Sequence, residues 1–515
     1  MCFRIELYYY LPYNSIDDVI IQYDIPLKKI EVSIAIPEYY YYNVKQKGYI
    51  SYDISNESKN KKINISSKSV SGGPVRKTAF STSSIDYKVN ITYINESNIP
   101  ALKKEPYVNN MDNYRGIASY DLASIKWPNE TIKYYSQTWK DIAKNIFKSD
   151  KFGGELKKNS HLKGDILILK SENSTLSEKV GNALQFVKSK IKWNGTYGEY
   201  PEKGLRKAFK EGSGNIGDIN LTLVAVLREL GLDANPVLLS TRNNGVPLFP
   251  TAKGINYVIA HVKTSDGYIL LDASEKYSLP LRTMNWQGVI IKKEGSVGYV
   301  SLENSATAKE DSILNYKISE DGFIEGMNRV KYENLYSIDY RNKKAILTED
   351  DLISNIEESN DDIEIINFRL SNKDNIAKPI VEMYSFERED GAEIIGDKMY
   401  LKPLLFIAMD ENPFKIDSRE YPVDFGTPWR ESINVIIEIP EGFKIESLPE
   451  NMGTGLRDET GKFIFSVKEL GNKIQISSLL EINRAVISAD YYTDLKEFFK
   501  QVVAKQTEQI ILSRI

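Results

Sequence analysis

The side chains able to act as nucleophile, base or metal ligand are limited first by the scarcest of them. The 515 residues include one cysteine, Cys2, and two histidines, His161 and His261. No internal disulfide can form, and a four-ligand zinc site of Cys and His lacks its donors, so no metal centre is expected. A cysteine nucleophile would have to be the second residue of the chain, where termini fray. The segment "GSGNIGD" places Gly212, Gly214 and Gly217 at the glycine spacing of a dinucleotide-binding loop. That loop requires an entering strand within a βαβ unit, whereas Leu205, Ala208 and Phe209 ahead of it are spaced as on a short amphipathic helix. No nucleotide, and no other cofactor, is therefore expected. Ser213 is the hydroxyl of this loop. Asp218 follows in the first turn of a helix, where free backbone amides and the dipole stabilise an acid by about 0.3–1 kcal/mol. His161, in the polar stretch "KKNSHLKGD", is expected to be exposed.

The elements that position these residues follow from hydrophobic periodicity. Up to about residue 125 the period is two, as in Ile30, Val32, Ile34 and Ile36 and in Val89, Ile91 and Tyr93, which predicts strands. The tyrosine run 39–42 is expected to pack on and between them, as Tyr does in sheets. After Trp127 and Pro128 the period becomes helical. Thr175 and Glu178 form a capping box ahead of the stripe Val180, Ala183, Leu184, Val187 and Ile191. A second helix from about Asp218 to Gly231 is apolar nearly all round and so should be buried. Strands near 235–241, 255–262 and 268–271 follow, the last after the turn Ser265-Asp266-Gly267, giving an α+β layout. Beyond residue 305 alternation returns. The acidic stretch 357–364 is read as a solvated connection, and Leu495, Phe498, Phe499, Val502 and Val503 mark a closing helix.

Length requires more than one core, since single cores stop growing near about 250–300 residues. The expected organisation is a β-rich, β-sandwich-like region at 1–127 that begins part-way through its fold, an α+β core at 128–304, and a β-sandwich with a terminal helix at 305–515. Lys and Arg number 67 against 71 Asp and Glu, a net charge of −4, so no global positive field exists to attract nucleic acid, and none is expected as a partner. No apolar run reaches the roughly 18–20 residues of a membrane span. The start of the chain shows no basic segment followed by an apolar core, so it is not read as a signal peptide.

One resemblance gathers these features. The glycine-rich turn into a buried helix, "GSGNIGDINLTLVAVLRELGLDANPVLLSTRNNG", with "FPTAKGINYVIAHV" and "GYILLDASEKYSLP", resembles the core of bacterial transglutaminase-like domains over about residues 175–285. The segments "NPFKIDSREYPVDFG" and "IPEGFKIESLPE" resemble the uncharacterised domains that accompany this core in exported bacterial proteins. The resemblance implies a papain-like α+β fold. It also implies a triad in which a cysteine opens the buried helix and a histidine and an aspartate lie on adjacent strands.

On this chain the cysteine position falls on Ile216, the histidine position on Tyr257 and the aspartate position on Asp272. Isoleucine has no acid, base or nucleophilic capacity, and a phenol with pKa near 10 is a poor base at neutral pH. The expectation is a degenerate, non-catalytic domain that binds or scaffolds in the cell envelope. Its former cleft would take a protein, peptide or glycan ligand against Tyr257, Asp272, Trp193 and Trp286. Two alternatives accompany it. One is a hydrolase or acyltransferase rebuilt around His261 with Ser213; the other is a purely architectural assembly protein. On a strand, His261 lies about 13 Å from Tyr257 at about 3.3 Å per residue, too far for direct replacement.

Overall fold

Alternation in the first hundred residues yields long antiparallel strands. The computed structural model describes the chain except residues 1–15, 71–77, 136–137, 171–173, 248–249, 251–253, 278–286, 345 and 361–362. The described residues form two compact units. One is Met1–Lys104 with Asn110–Asn145 and Gly245–Gly254; the other is Glu105–Asn109 with Ile146–Asn244 and Ile255–Ile515. The central and C-terminal regions distinguished by sequence pattern share the second unit.

In the first unit, strands β1 (Leu27–Pro37), β2 (Tyr40–Lys47), β3 (Ile54–Val70), β4 (Thr78–Ile99) and β5 (Ile117–Ile125) make two sheets. One has the order β1-β4-β3, and in the other β5 lies between β2 and Val19–Ile20. Between them Ile21, Tyr52, Ile94, Ile99, Ala118 and Tyr120 form the core, and the Tyr52 hydroxyl donates to the Ile117 carbonyl at 2.6 Å. The tyrosine run divides by strand alternation: Tyr40 is buried and Tyr41 exposed, while Tyr39 packs on Trp127 and Tyr42 on Tyr120.

The central helices are α1 (Leu176–Lys190), α2 (Leu205–Glu211) and α3 (Ile216–Glu229). The capping box of α1 forms as expected, Thr175 receiving the Glu178 amide while the Glu178 carboxylate receives the Thr175 amide. Helix α3 is buried from Ile216 through Leu227, in keeping with its apolar circumference. It packs on a five-stranded antiparallel sheet of β6 (Ala234–Leu239), β7 (Tyr257–Lys263), β8 (Tyr268–Leu271), β9 (Gln287–Ile291) and β10 (Val297–Ser301), in the order β8-β7-β6-β9-β10. Strand β7 is thus held between two partners directly beneath α3.

The C-terminal region begins with β11 (Ala308–Ile318), β12 (Ile324–Glu333), α4 (Leu335–Lys344) and α5 (Glu349–Ser359). After these come β13 (Glu364–Ser371), β14 (Ile380–Arg388), β15 (Glu393–Ile395), β16 (Lys398–Leu401), β17 (Trp429–Glu438), β18 (Phe443–Ser447), β19 (Met452–Gly455), β20 (Gly461–Leu470) and β21 (Lys473–Ile482). Helix α6 (Tyr492–Gln506) and strand β22 (Ile510–Arg514) close it. An eight-stranded sheet, β13-β14-β12-β11-β17-β21-β20-β19, and a four-stranded one, β15-β16-β22-β18, share a large apolar core with α6. The fold is a strand-rich, multidomain α+β fold. The closing helix is present, and the residues after it add a strand that periodicity over five residues did not reveal. The acidic stretch corrects the reading of a connection. Glu357–Ser359 end α5, the Glu357 carboxylate accepts the Ile365 amide at 2.8 Å, and Glu364 opens β13, while Asp361 and Asp362 lie outside the described residues.

Candidate functional site

The site is built from the start of α3. Asn215 is extended (φ −80, ψ −178) and caps the helix: its side chain accepts the Asp218 amide at 2.8 Å, and Asp218 accepts the Asn215 amide at 3.1 Å. Asp218 also receives the Gly204 amide at 3.0 Å and the Lys203 amide at 3.3 Å, so one carboxylate joins the start of α2 to the start of α3. Desolvation raises its pKa and these backbone donors oppose the rise. Asp218 is a structural cap, fully buried.

The glycine spacing has a packing cause. Gly212 ends α2 in the left-handed conformation (φ +69), which favours glycine at a helix C-terminus. At Gly214 a Cβ would sit 2.6 Å from the Asp218 Cβ, and at Gly217 it would sit 2.5 Å from the Tyr200 carbonyl. At Gly214 and Gly217, glycine is needed for this close packing.

Ile216 is the first residue of α3 and is 1% exposed. The segment 196–201 lies across this helix start: the Ile216 amide donates to the Thr196 carbonyl at 3.4 Å, and the Asn215 side-chain amide donates to the Tyr200 carbonyl at 2.8 Å. A helix N-terminus that could stabilise an anion is thus occupied by the chain's own carbonyls.

Tyr257 opens β7 and Asp272 follows the end of β8. The Tyr257 hydroxyl donates to Asp272 Oδ2 at 2.7 Å and lies 2.8 Å from Ser274 Oγ. The other carboxylate oxygen, Oδ1, accepts the Asn220 side-chain amide at 2.9 Å, the Ser274 amide at 2.9 Å and the Ser274 hydroxyl. Asn220 stands one turn along α3 from Ile216. It also donates to the Val258 carbonyl at 2.9 Å and accepts the Ala273 amide at 2.8 Å, so it bolts the helix to β7 and to the end of β8. The pKa of half-buried Lys188 is lowered by desolvation against the opposing pull of Asp272 and Glu275. Tyr257 is 0% exposed and Asp272 6%, so the pair is sealed.

Above this pair the Tyr197 ring lies 5.9 Å from the Tyr257 ring and 5.3 Å from the Trp193 ring, and Trp193 Nε1 donates to the Thr196 carbonyl at 2.9 Å. Trp193 is half-buried and Tyr197 is exposed, forming an aromatic ledge. Trp286 lies outside the described residues. Asn220, Ser274 and Tyr197 were not singled out from the sequence. A lone Asn in an otherwise apolar helix was the available signal for the first, since a buried amide needs partners.

His261 stacks on Tyr268 with ring centroids 5.4 Å apart, and its Nδ1 is buried without a hydrogen-bond partner. Desolvation holds its pKa below the usual imidazole value. Among the described residues no hydroxyl or carboxylate hydrogen-bonds its ring, and Ser213 sits in a two-residue strand paired to Lys192. His161 corrects the expectation of exposure. Its ring meets Phe209 of α2 edge-on at 5.6 Å with both nitrogens buried, because the turn Ser160–Leu162 drives Leu162 into the core beside it. Groups of three or more His, Cys, Asp or Glu able to hold a metal are absent among the described residues.

Comparison with known proteins agrees with this architecture. Residues 167–273 match the model of the transglutaminase-like superfamily, and residues 397–512 match a domain of unknown function with a solved structure, DUF3858. No curated protein matches the chain. Among solved structures, one described as a "putative protease" from Parabacteroides distasonis ATCC 8503 is 12% identical, with a TM-score of 0.49 over 98% of this chain and 76% of that one. Another, a "putative cysteine protease" from Cytophaga hutchinsonii, is 12% identical, with a TM-score of 0.20 over 55% of this chain and 83% of that one. The chain thus carries a transglutaminase-like core followed by a DUF3858 domain.

Proposed function

We propose that this protein is a non-catalytic transglutaminase-like protein that binds or scaffolds, with a peptide or glycan as its ligand. The observation that carries the reading is Ile216, buried under the segment 196–201 at the place where the family's nucleophile would open the helix. A side chain without acid, base or nucleophilic capacity cannot start acyl transfer, and the phenol of Tyr257 is committed as a donor to Asp272. Because Tyr257 and Asp272 are sealed, ligand contact falls to the ledge of Trp193 and Tyr197, whose rings offer area with a polar edge. A cell-envelope location accompanies the reading and rests on the family resemblance. Among the described residues the buried Nδ1 of His261 has no hydrogen-bond partner, which weighs against the displaced hydrolase.

The test has two arms. Purified protein should give no turnover of peptide, amide or ester substrates; turnover abolished by His261→Ala would overturn the non-catalytic reading in favour of the displaced one. On peptide and glycan arrays, hits should weaken on Trp193→Ala or Tyr197→Ala. Hits indifferent to both changes would remove the ledge from the site.

A further inference from the structure

The first unit carries a surface that folding does not explain. Strand β4 is paired with β1 from Leu27↔Ile99 to Pro37↔Val89, and Lys88 bonds Glu38 just past its end; beyond this the described strand pairing of β3 and β4 is with each other, from Lys61↔Tyr87 to Val70↔Thr78. Among the described residues no third strand joins this two-stranded ribbon, which is exposed on both faces from Asn60 to Lys68 and along most of Phe80–Lys88. Directly opposed residues share a face. Ile63 with Ile85, and Ile65 beside them, make one face aliphatic; Lys62 with Asp86, Asn64 with Ser84 and Ser66 with Thr82 make the other polar, and Lys68 with Phe80 extends it. Phe80 is 75% exposed, and Ile63, Ile65 and Ile85 are each more than 40% exposed. The Lys68 ammonium lies 5.9 Å from the Phe80 ring. A hairpin of this kind has no core of its own to bury these groups.

Charge selects among partners. The ribbon carries Lys61, Lys62, Lys68 and Lys88 against Asp86, a net of +3 on a chain whose net charge is −4. Lys61 shares one face with Ile63, Ile65 and Ile85, and Lys62, Lys68 and Lys88 share the other with Phe80, so each face joins cations to exposed apolar side chains, which matches a surface that is anionic outside and apolar just beneath. The open edges of β3 and β4 keep their N–H and C=O groups in need of water, so the ribbon suits the headgroup layer and cannot cross the hydrocarbon. A soluble polyanion would satisfy the lysines and leave the isoleucines and Phe80 without a partner.

We propose that the ribbon of residues 60–70 and 78–88 is a docking arm for an anionic lipid surface. This does not rest on the reading of the transglutaminase-like core.

The test is co-sedimentation of the full chain with vesicles of phosphatidylcholine, alone or mixed with phosphatidylglycerol. Binding is expected to the mixed vesicles only and to weaken as salt shortens the screening length. The triple variant K61E/K62E/K68E should lower affinity by more than about tenfold, since each surface lysine contributes a factor of about five. The variant I63S/I65S/F80S should also weaken binding while leaving its salt dependence in place. All six side chains are exposed, so an unchanged far-ultraviolet circular dichroism spectrum and Tm are expected and verify the fold. Equal binding to both vesicle types, or a triple reversal that binds like wild type, would overturn the proposal. So would binding of soluble polyphosphate as strong as that of the vesicles and insensitive to the apolar replacements, which would make the arm a polyanion site instead.

Discussion

The Tyr257 hydroxyl donates to the Asp272 carboxylate at 2.7 Å, a sealed phenol–acid pair joining the start of β7 to the residue that follows β8. Asn220 and Ser274 satisfy the other carboxylate oxygen. The pair has become part of the fastening between α3, β7 and the end of β8.

Tyr257→Phe removes one hydrogen-bond donor from a sealed carboxylate. A loss of about 1–3 kcal/mol is expected, the usual penalty for an unsatisfied buried polar group. Urea unfolding of the variant beside wild type measures it. A change within error would mean that water or another group reaches Asp272.

On the proposed reading of the core, Ile216→Cys places a thiol at the nucleophile position, and the position proposed for the imidazole holds Tyr257. The substitution should yield no turnover and should cost about 1–3 kcal/mol through lost buried volume. The native variant's thiol should react with an alkylating reagent only after unfolding, because the position is 1% exposed. Rapid labelling of residue 216 in the folded protein would show that the 196–201 segment opens.

Gly217→Ala tests the packing account of the glycine spacing. The added Cβ would lie 2.5 Å from the Tyr200 carbonyl, a backbone atom that cannot swing away. A destabilisation of about 1–3 kcal/mol is expected from overpacking. A neutral thermal-melt result would leave the glycine unexplained by packing.

The stability of the second unit should depend on pH through Glu310 and Glu431. These residues are register partners on β11 and β17, on the core-facing side of the sheet. Desolvation first, then Glu382, raises the Glu310 pKa to about 7; desolvation first, then Glu310, raises the Glu431 pKa to about 8. Lys344 of α4 opposes the shift at Glu310. Two further groups are tied to the same carboxylates: Tyr340, which hydrogen-bonds Glu382, and Tyr336, whose pKa is raised first by desolvation and then by Glu431 and Glu310. Both carboxyls hold protons in the folded state that the unfolded chain releases near pH 4.5, so the folded state binds more protons between that pH and about 8. Stability should therefore be greatest below about pH 4.5 as far as these groups are concerned, and should fall as pH rises through 7 to 8. Glu431→Gln should flatten the decline across that window in urea titrations at fixed pH. An unchanged slope would assign the dependence to other groups.

Local rules read from the sequence were sufficient for the elements that hold the site. The apolar circumference from Ile219 to Leu230 predicted a buried helix, and α3 is buried; Thr175 with Glu178 predicted a capped one, and the box is formed. The three strands that place Tyr257 and Asp272 were legible because alternation and turn residues are properties of neighbours along the chain. The identity of residue 216 as isoleucine was legible too, and side-chain identity limits chemistry wherever the residue lies. Tertiary structure alone decided the rest. The bonds of Asn220 to Asp272 and Val258 join residues 38 or more positions apart, and no periodicity records such a partner. The coverage of the α3 N-terminus by residues 196–201, the burial of the His161 ring nitrogens and the stacking of His261 on Tyr268 likewise depend on which surfaces meet after collapse. Burial and hydrogen-bond satisfaction are set by distant segments, so the sequence named the residues of this site and the fold decided what they touch.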